Sequence, residues 1–265
     1  MKANRCFVLG LGACAIAALP RVAEANERHM TYTYESAVMP KGAMELELWT
    51  TPRIGRDKSF ARFDQRVELE YGVTDSLLTA LYLNFNYVRA DTGAGTESDL
   101  EFAGISSEWK YKLLDPVADA FGLAVYGEVT ASHEEGELEA KVILDKKIGN
   151  VHLAVNLVAE VERYFEEGEN ELILEADLGA VYRFTPNFSA GIEVRNHNEF
   201  PGFKEYEHSA LFAGPVVSYA TEKWWAAFTF LPQLPALKTH EHGDSSLDLA
   251  EHEKYNARLL VAFHL

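Results

Sequence analysis

The amino-acid sequence predicts an all-β protein, a single antiparallel up-and-down transmembrane β-barrel of about 12 strands. Apolar and polar residues alternate through most of the chain, which is typical of strands with one apolar face. The alternating segments run for roughly ten residues or more, the length that a tilted strand needs to cross a bilayer. The breaks between them alternate between short turns and more polar, often longer loops. This pattern predicts short periplasmic turns and longer extracellular loops.

The first residues have the features of a secretory signal peptide. Lys2 and Arg5 precede the apolar run Cys6–Leu19, and Ala23-Glu24-Ala25 is a small-x-small cleavage site. We expect Sec-type export with cleavage between Ala25 and Asn26. A lipoprotein signal at Leu11–Cys14 is the alternative, although it would leave an unusually short leader. The predicted organisation is a signal peptide over residues 1–25, a periplasmic segment over 26–42 and the barrel over 43–265.

The mature chain is acidic and has no cysteine. The full sequence has a net charge of −17, and the leader removes three bases and one acid, so the mature charge is −19. Both cysteines lie in the leader, which leaves no disulfide framework for the exported protein. Such acidity argues against nucleic acid as a partner, because phosphate binding depends on clustered Lys and Arg.

Twelve alternating segments define the predicted strands. In Leu172–Phe184, for example, the even-numbered positions are all apolar, while the odd ones include Glu175, Asp177 and Arg183. The predicted strands lie near residues 43–52, 59–71, 77–90, 99–113, 121–132, 138–148, 151–165, 171–184, 188–198, 208–219, 223–231 and 252–265.

Prolines mark two positions where the pattern is less regular. Pro215 falls inside a predicted strand, and since a barrel has no free edge, we expect a bulge or a strand end there. Pro232 and Pro235 are assigned to the start of the last loop, which spans residues 232–251.

Aromatic residues gather near the strand ends. Amphipathic rings at both membrane interfaces would form the two girdles of a membrane barrel, although aromatic side chains in the core of a soluble β-sandwich are the alternative. The proposed girdle residues are Trp49, Tyr71, Tyr87, Trp109, Tyr111, Tyr164, Phe165, Tyr182, Phe184, Tyr219, Trp224 and Trp225.

Two segments and the C-terminus resemble known bacterial barrels. Met39-Pro40-Lys41-Gly42 with Glu45–Trp49, and Glu68–Asp75 with Leu81–Leu83, are similar to uncharacterised outer-membrane barrels of the phenol-degradation "transporter" type. The alternation from Tyr255 to Leu265 resembles the terminal-strand signal of outer-membrane proteins, although that signal usually ends in Phe. The resemblance implies an outer-membrane location, the barrel-assembly machinery as a partner and contact with outer-membrane lipid.

The polar face of the strands is predicted to face the lumen, because a mid-plane Arg or Lys in hydrocarbon costs roughly 2–4 kcal/mol. Charges of both signs occur there, so the lumen is either a narrow, cation-favouring path or a structural ion-pair network that fills the barrel. The candidate lining residues are Glu45, Glu47, Arg62, Asp64, Arg66, Glu68, Glu108, Lys110, Glu128, Lys141, Asp145, Glu160, Glu175, Asp177, Arg183, Glu193, Arg195 and Arg258.

Few residues suggest other chemistry. His240, His242 and His252, with nearby carboxylates in the last loop, are weak candidates for a divalent cation such as zinc or copper, and no other cofactor is expected. Outer-membrane lipid hydrolases carry a His-x-Ser pair on one strand. Here His208 and Ser209 are adjacent and would point to opposite faces, so no catalytic residues are assigned.

The expected function is that of a monomeric, porin-like channel or transporter for an unnamed small solute, or of a structural barrel, in the outer membrane of a Gram-negative bacterium. A soluble periplasmic or secreted ligand-binding barrel and an outer-membrane lipid-modifying enzyme remain the alternatives.

Overall fold

The structure is a computed structural model that describes residues 27–56, 58–91, 95–166, 168–204, 206–239 and 246–265. The predicted leader and its cleavage site lie outside this range. Twelve antiparallel strands form one closed barrel in which each strand pairs with its neighbours in sequence and β12 pairs with β1. The strands are β1 Met44–Ile54, β2 Phe60–Thr74, β3 Leu77–Asp91, β4 Thr96–Leu114, β5 Gly122–Ala131, β6 Glu135–Ile148, β7 Val151–Tyr164, β8 Asn170–Arg183, β9 Phe188–Pro201, β10 His208–Ala220, β11 Trp224–Lys238 and β12 Tyr255–His264. The predicted fold class and strand number are confirmed.

The strands present apolar side chains outward and polar ones inward. On β5, Val129 is 56% exposed while the adjacent Glu128 is 5% exposed, and on β1 Leu48 is 42% exposed beside a fully buried Glu47. This arrangement reverses that of a water-soluble protein and fits a barrel whose exterior contacts lipid. No helix within the described ranges is long and apolar enough to cross a membrane.

Closure of the barrel depends on the first and last strands. Leu46 pairs with Phe263 and Leu48 with Val261, so the alternating C-terminal segment completes the sheet. Because every strand then has two partners, the backbone hydrogen bonds are satisfied within the sheet, as a bilayer requires.

The last loop is shorter than predicted because β11 continues through both prolines. Pro232 is the last residue of β11 to pair with β12, and beyond it β11 pairs only with β10, up to Lys238. Pro235 lies where β11 pairs with β10 alone, so its missing N–H costs no ladder bond on the open side. The assignment of Pro232 and Pro235 to a loop is therefore wrong.

Pro215 does not end or bulge its strand. It pairs with Ile192 in an unbroken register between β9 and β10. On the other side, no residue of β10 between Phe212 and Val216 pairs with β11. The register shift between β10 and β11 lies nearer the start of β10, between Ser209 and Leu211.

Three of the predicted girdle aromatics point inward. Trp49 and Trp225 are buried, and their indole N–H groups donate to Glu47 (2.8 Å) and Glu45 (3.0 Å). Tyr164 lines the lumen cavity and donates to a glutamate of its own strand. Inside the barrel these side chains donate hydrogen bonds to lumen carboxylates, an interaction that a position at the lipid interface would not provide. The remaining members are exposed on the outside, at Tyr71, Tyr87, Trp109, Tyr111, Phe165, Tyr182, Phe184, Tyr219 and Trp224.

Candidate functional site

The segment before β1 folds back into the barrel. A turn at Gly42, with φ of 84°, brings its N–H to the carbonyl of Gly72 at 2.7 Å. A Cβ on Gly72 would lie 2.1 Å from the Pro40 carbonyl oxygen, so only glycine allows this close passage. The sequence pattern predicts a periplasmic location for residues 26–42, whereas the structure places residues 27–40, hereafter the N-terminal plug, among side chains of the lumen.

One buried carboxylate holds the centre of the plug. Glu193 on β9 accepts hydrogen bonds from three successive backbone N–H groups, those of Thr31 (3.1 Å), Tyr32 (2.9 Å) and Thr33 (2.7 Å). The Thr229 hydroxyl on β11 donates to the same carboxylate. Because three successive backbone donors and one hydroxyl converge on a single side chain, Glu193 is a specific anchor for an otherwise irregular segment.

Aromatic side chains of the plug are enclosed by cations from the barrel wall. Lys141 Nζ lies 4.4 Å from the centre of the Tyr34 ring, and Arg258 lies 4.1 Å from that of Tyr32. Arg28, within the plug, lies 3.9 Å above the Tyr34 ring. Cation–π contacts of this kind contribute most in sites that exclude water.

A second polar network fixes the plug close to the end of the barrel that carries the short turns. Glu35 lies 3.0 Å from His29 Nδ1 and 2.8 Å from His152 Nδ1, and His152 Nε2 lies 2.9 Å from Asp145. The carboxylates and imidazoles thus alternate from the plug to strands β6 and β7.

The lumen is also shaped to the plug. A Cβ on Gly179 of β8 would lie 2.0 Å from Met30 Sδ, and one on Gly122 of β5 would lie 2.3 Å from Ser36 Oγ. The plug therefore contacts glycine positions on two separate strands, where an added Cβ would overlap a plug side chain and require that side chain to shift.

Beyond the plug, towards the end with the longer loops, the lumen holds a cavity of about 460 Å³. Tyr32 and Tyr34 of the plug, together with Trp49, contribute to its lining. Glu251, His252 and Glu253 of the last loop line it as well.

The cavity has two walls of opposite charge. Neighbouring strands β6, β7 and β8 bring like charges together, since Glu139 pairs with Glu160 and Glu162 with Glu171. Strands β12, β1 and β2 lie on the opposite side of the closed strand order. The acidic wall consists of Glu137, Glu139, Glu160, Glu162, Glu171 and Glu175, and the basic wall of Arg53, Arg62, Arg66 and Arg258.

Some charges are paired within or across these walls. Asp64 lies 2.9 Å from Arg53 and 2.6 Å from Arg62, and Lys141 lies 2.9 Å from Glu139. Arg66 reaches across to Glu128 at 3.4 Å. The walls are thus partly neutralised, and each keeps its own predominant sign.

The predicted lining residues divide by depth in the barrel. Arg183 is exposed at the short-turn end of β8. Ten of the others line the cavity, namely Arg62, Asp64, Arg66, Glu128, Lys141, Glu160, Glu175, Asp177, Arg195 and Arg258. The rest are buried nearer the plug, at Glu45, Glu47, Glu68, Glu108, Lys110, Asp145 and Glu193.

Of the predicted metal candidates, His240 and His242 lie outside the described residues. His252 is described, and its ring centre lies 4.9 Å from that of His197 and 4.7 Å from that of His208. The sequence pattern does not indicate the plug residues or a metal-binding role for His197 and His208, because the plug carries no periodicity and the histidines are isolated in sequence.

Together, the closed twelve-strand barrel, the apolar exterior and the polar, plugged lumen define a barrel of the outer-membrane type. Over residues 22–265 the chain matches the family of unknown function DUF6662, and it belongs to that family. No curated protein matches it.

Solved structures share the fold at low sequence identity. The COG4313 outer-membrane channel from Pseudomonas putida F1 is 13% identical with a TM-score of 0.60, covering 89% of this chain and 100% of that one. The NanC porin is 12% identical with a TM-score of 0.56, covering 83% and 100%. The β domain of the Bordetella autotransporter BrkA is 9% identical with a TM-score of 0.52, covering 85% and 100%.

Proposed function

We propose that this protein is an outer-membrane channel for small polar solutes, and that the N-terminal plug is its gate. The observation that carries the proposal is a cavity with walls of opposite charge, lined in part by the plug and lying on its loop side. Two structures with this fold are a channel and a porin, which supports transport over lipid hydrolysis. The apolar exterior supports a membrane location over a soluble ligand-binding barrel.

The plug is suited to move because the barrel does not need it. It precedes β1, and β1 pairs fully with β12 and β2 without any contribution from residues 27–40. Its anchors are hydrogen bonds and ion pairs to individual side chains, such as Glu193 and Asn156. Withdrawal of the plug would therefore break side-chain contacts and leave the sheet closed.

The charge arrangement favours solutes that carry both charges. Opposed walls in a cavity with low-dielectric surroundings produce a field across the path. A zwitterion can align with that field, while a simple anion or cation is attracted by one wall and repelled by the other. We therefore propose small zwitterions as the preferred solute class.

A structural barrel with an ion-paired lumen is the second candidate. The pairs of Asp64 with Arg53 and of Glu139 with Lys141 favour it, because they fill part of the lumen with mutually satisfied charges. This candidate predicts that removing the plug gives no conductance.

Planar-bilayer recording tests the two candidates. We expect the mature protein to show low or intermittent conductance, and a variant lacking residues 28–38 to show a steady open channel. Glu193→Gln, which weakens the anchor and leaves the chain length unchanged, should open more often than wild type. Heat-modifiable migration on a gel would establish that each variant is folded. Folded variants that all fail to conduct would refute the channel proposal.

Liposome swelling then tests the solute class. The variant lacking residues 28–38 should admit a neutral zwitterionic amino acid faster than an acid or an amine of similar size. Equal rates for all three would leave a channel without the proposed preference.

A further inference from the structure

Three imidazoles meet at the loop end of the barrel, apart from the plug and its anchors. His197 and Glu199 lie on β9, and His208 is the first residue of β10. His252 and Asp248 belong to the last loop, between β11 and β12. All five side chains therefore come from three separate parts of the chain.

The three Nε2 atoms converge on one carboxylate oxygen. Glu199 Oε1 lies 2.8 Å from His197 Nε2, 3.2 Å from His208 Nε2 and 3.6 Å from His252 Nε2. The potential ligand atoms of His197, Glu199 and His252 all lie within 4.8 Å of one another. The same holds for His208, Asp248 and His252.

Several of these groups are buried without a hydrogen bond. His208, Asp248 and His252 are 0%, 2% and 7% exposed. Both carboxylate oxygens of Asp248 and Nδ1 of His208 have no hydrogen-bond partner in the described part of the chain. Nε2 of His208 and Nε2 of His252 make no hydrogen bond there either, and have only the contacts of 3.2 and 3.6 Å to Glu199. A buried polar group without a partner is destabilising, so several of them at one place indicate a ligand that binds there.

A carboxylate also supports one of the imidazoles from outside the cluster. Glu175 Oε2 lies 2.7 Å from His197 Nδ1. In metal sites, a carboxylate on the far nitrogen of a ligating histidine fixes the ring orientation and raises its basicity.

We propose that His197, His208, His252 and Glu199 bind a divalent transition-metal ion, with zinc as the reference ion. Imidazole and carboxylate are ligands that zinc and copper accept, whereas calcium and magnesium prefer all-oxygen sites. Tetrahedral zinc with bonds of roughly 2.1 Å places its ligands roughly 3.4 Å apart, close to the present distances from Glu199 Oε1 to the nitrogens.

The bound ion would clip the last loop to strands β9 and β10. His252 also lines the cavity, so the ion would lie at the cavity wall on the loop side of the plug. Metal binding at this site does not depend on conduction, so the outcome of the zinc test is independent of the proposed channel.

Zinc titration of the tag-free mature protein in detergent tests the site. We expect one saturable zinc ion per chain, a Co²⁺ complex with the visible absorption of a four-coordinate site, and no competition by Ca²⁺. His208→Ala and His252→Ala should each weaken zinc binding by roughly tenfold or more. Glu199→Gln is a smaller change that guards against loss of folding, and heat-modifiable migration checks each variant.

A control variant and a second readout make the test more specific. His133→Ala removes an exposed histidine from a different loop and should leave zinc affinity unchanged. A second readout is proteolysis of the last loop, which zinc should slow in wild type and leave unchanged in His252→Ala. The proposal is overturned by the absence of saturable zinc binding, by unchanged affinity in the folded His208 and His252 variants, or by loss confined to a His240→Ala/His242→Ala variant.

Discussion

The side-chain amide of Asn156 binds both backbone polar groups of Tyr34. Its Oδ1 accepts from Tyr34 N–H at 2.6 Å, and its Nδ2 donates to the Tyr34 carbonyl at 3.0 Å. A strand residue thus pairs with the plug as a neighbouring strand would, by one donor and one acceptor. Asn156 is fully buried, so water does not replace these bonds while the plug is docked.

Replacing Asn156 by alanine should loosen the plug. Two buried backbone groups of Tyr34 lose their partners, at a cost of about 1–3 kcal/mol each. Because residues 27–265 contain no cysteine, a Ser36→Cys probe in the plug of a protein that begins after the predicted leader can be labelled selectively with a charged thiol reagent. We expect faster labelling in Asn156→Ala than in the parent. Asn150→Ala, in an exposed turn, is the matched control, and equal labelling of both would contradict the anchoring role.

Enlarging Gly179 should displace the plug without changing any charge. The new methyl group of Gly179→Ala would overlap Met30, which is fully buried. Overpacking of this kind typically costs about 1–3 kcal/mol. The Ser36→Cys probe should label faster, whereas Gly127→Ala, whose Cβ would lie 3.9 Å from its nearest neighbour, should have no effect.

A double variant tests the cause of that effect. If the clash with Met30 is responsible, adding Gly179→Ala to Met30→Ala should change labelling little beyond Met30→Ala alone, since residues in contact are not additive. Additive effects of the two substitutions on labelling would show that Gly179→Ala acts by distorting β8 and not through contact with Met30.

Neutralising the basic wall should make the open channel more cation-selective. Arg62→Gln removes one positive charge and leaves Asp64 paired with Arg53 at 2.9 Å. The measurement is the reversal potential in a salt gradient, with the variant lacking residues 28–38 as background. Arg163→Gln makes the same charge change at an exposed position and should not shift the potential. A shift of equal size in both would show that the wall does not set selectivity.

The turn between β4 and β5 should contribute stability that depends on pH. The backbone N–H groups of Val117 and Ala118 donate to Asp115 and hold the pKa of its carboxyl below the ordinary value of 3.8. A lowered pKa favours the charged form in the folded state, so the contribution is present above pH 3.8 and is lost as the pH falls through the folded pKa.

Thermal unfolding of wild type and Asp115→Asn, from strong acid to neutral pH, measures the contribution of the Asp115 charge to stability. The difference in Tm should be small, largest near neutral pH, and should disappear in strong acid. A difference that does not change with pH would show that the charge of Asp115 is not involved.

Alternation along the chain was sufficient to predict the strands, because each residue's face is set by its own position. Most strand bounds fall within a few residues of the prediction, and β11 is the main exception because it continues through both prolines, paired beyond Pro232 with β10 alone. The same alternation predicted which charges turn away from lipid. Trp225 turns inward to Glu45, a residue that becomes its neighbour only in the closed barrel. Trp49 lies two residues from Glu47 on the same face of β1, so the alternation itself already indicates its inward position, against its assignment to the girdle.

The sequence contains no comparable periodic pattern from which the plug or the histidine cluster could be predicted. Residues 27–40 form no strand, and their partners are set by the closed barrel and not by local sequence. His197 and His252 are widely separated in the chain, and only the register of β9 and the path of the last loop bring them together.

The contacts of the plug also impose an order on assembly. Thr31 is 162 residues from Glu193 and 198 residues from Thr229, and Tyr34 is 122 residues from Asn156. Contacts this distant in sequence form late, because loop closure must come before they contribute. The segment that precedes every strand can therefore dock only after the last strands have joined the sheet. In a refolding experiment, protection of the plug should follow closure of the β1–β12 seam, and its burial would report a completed barrel.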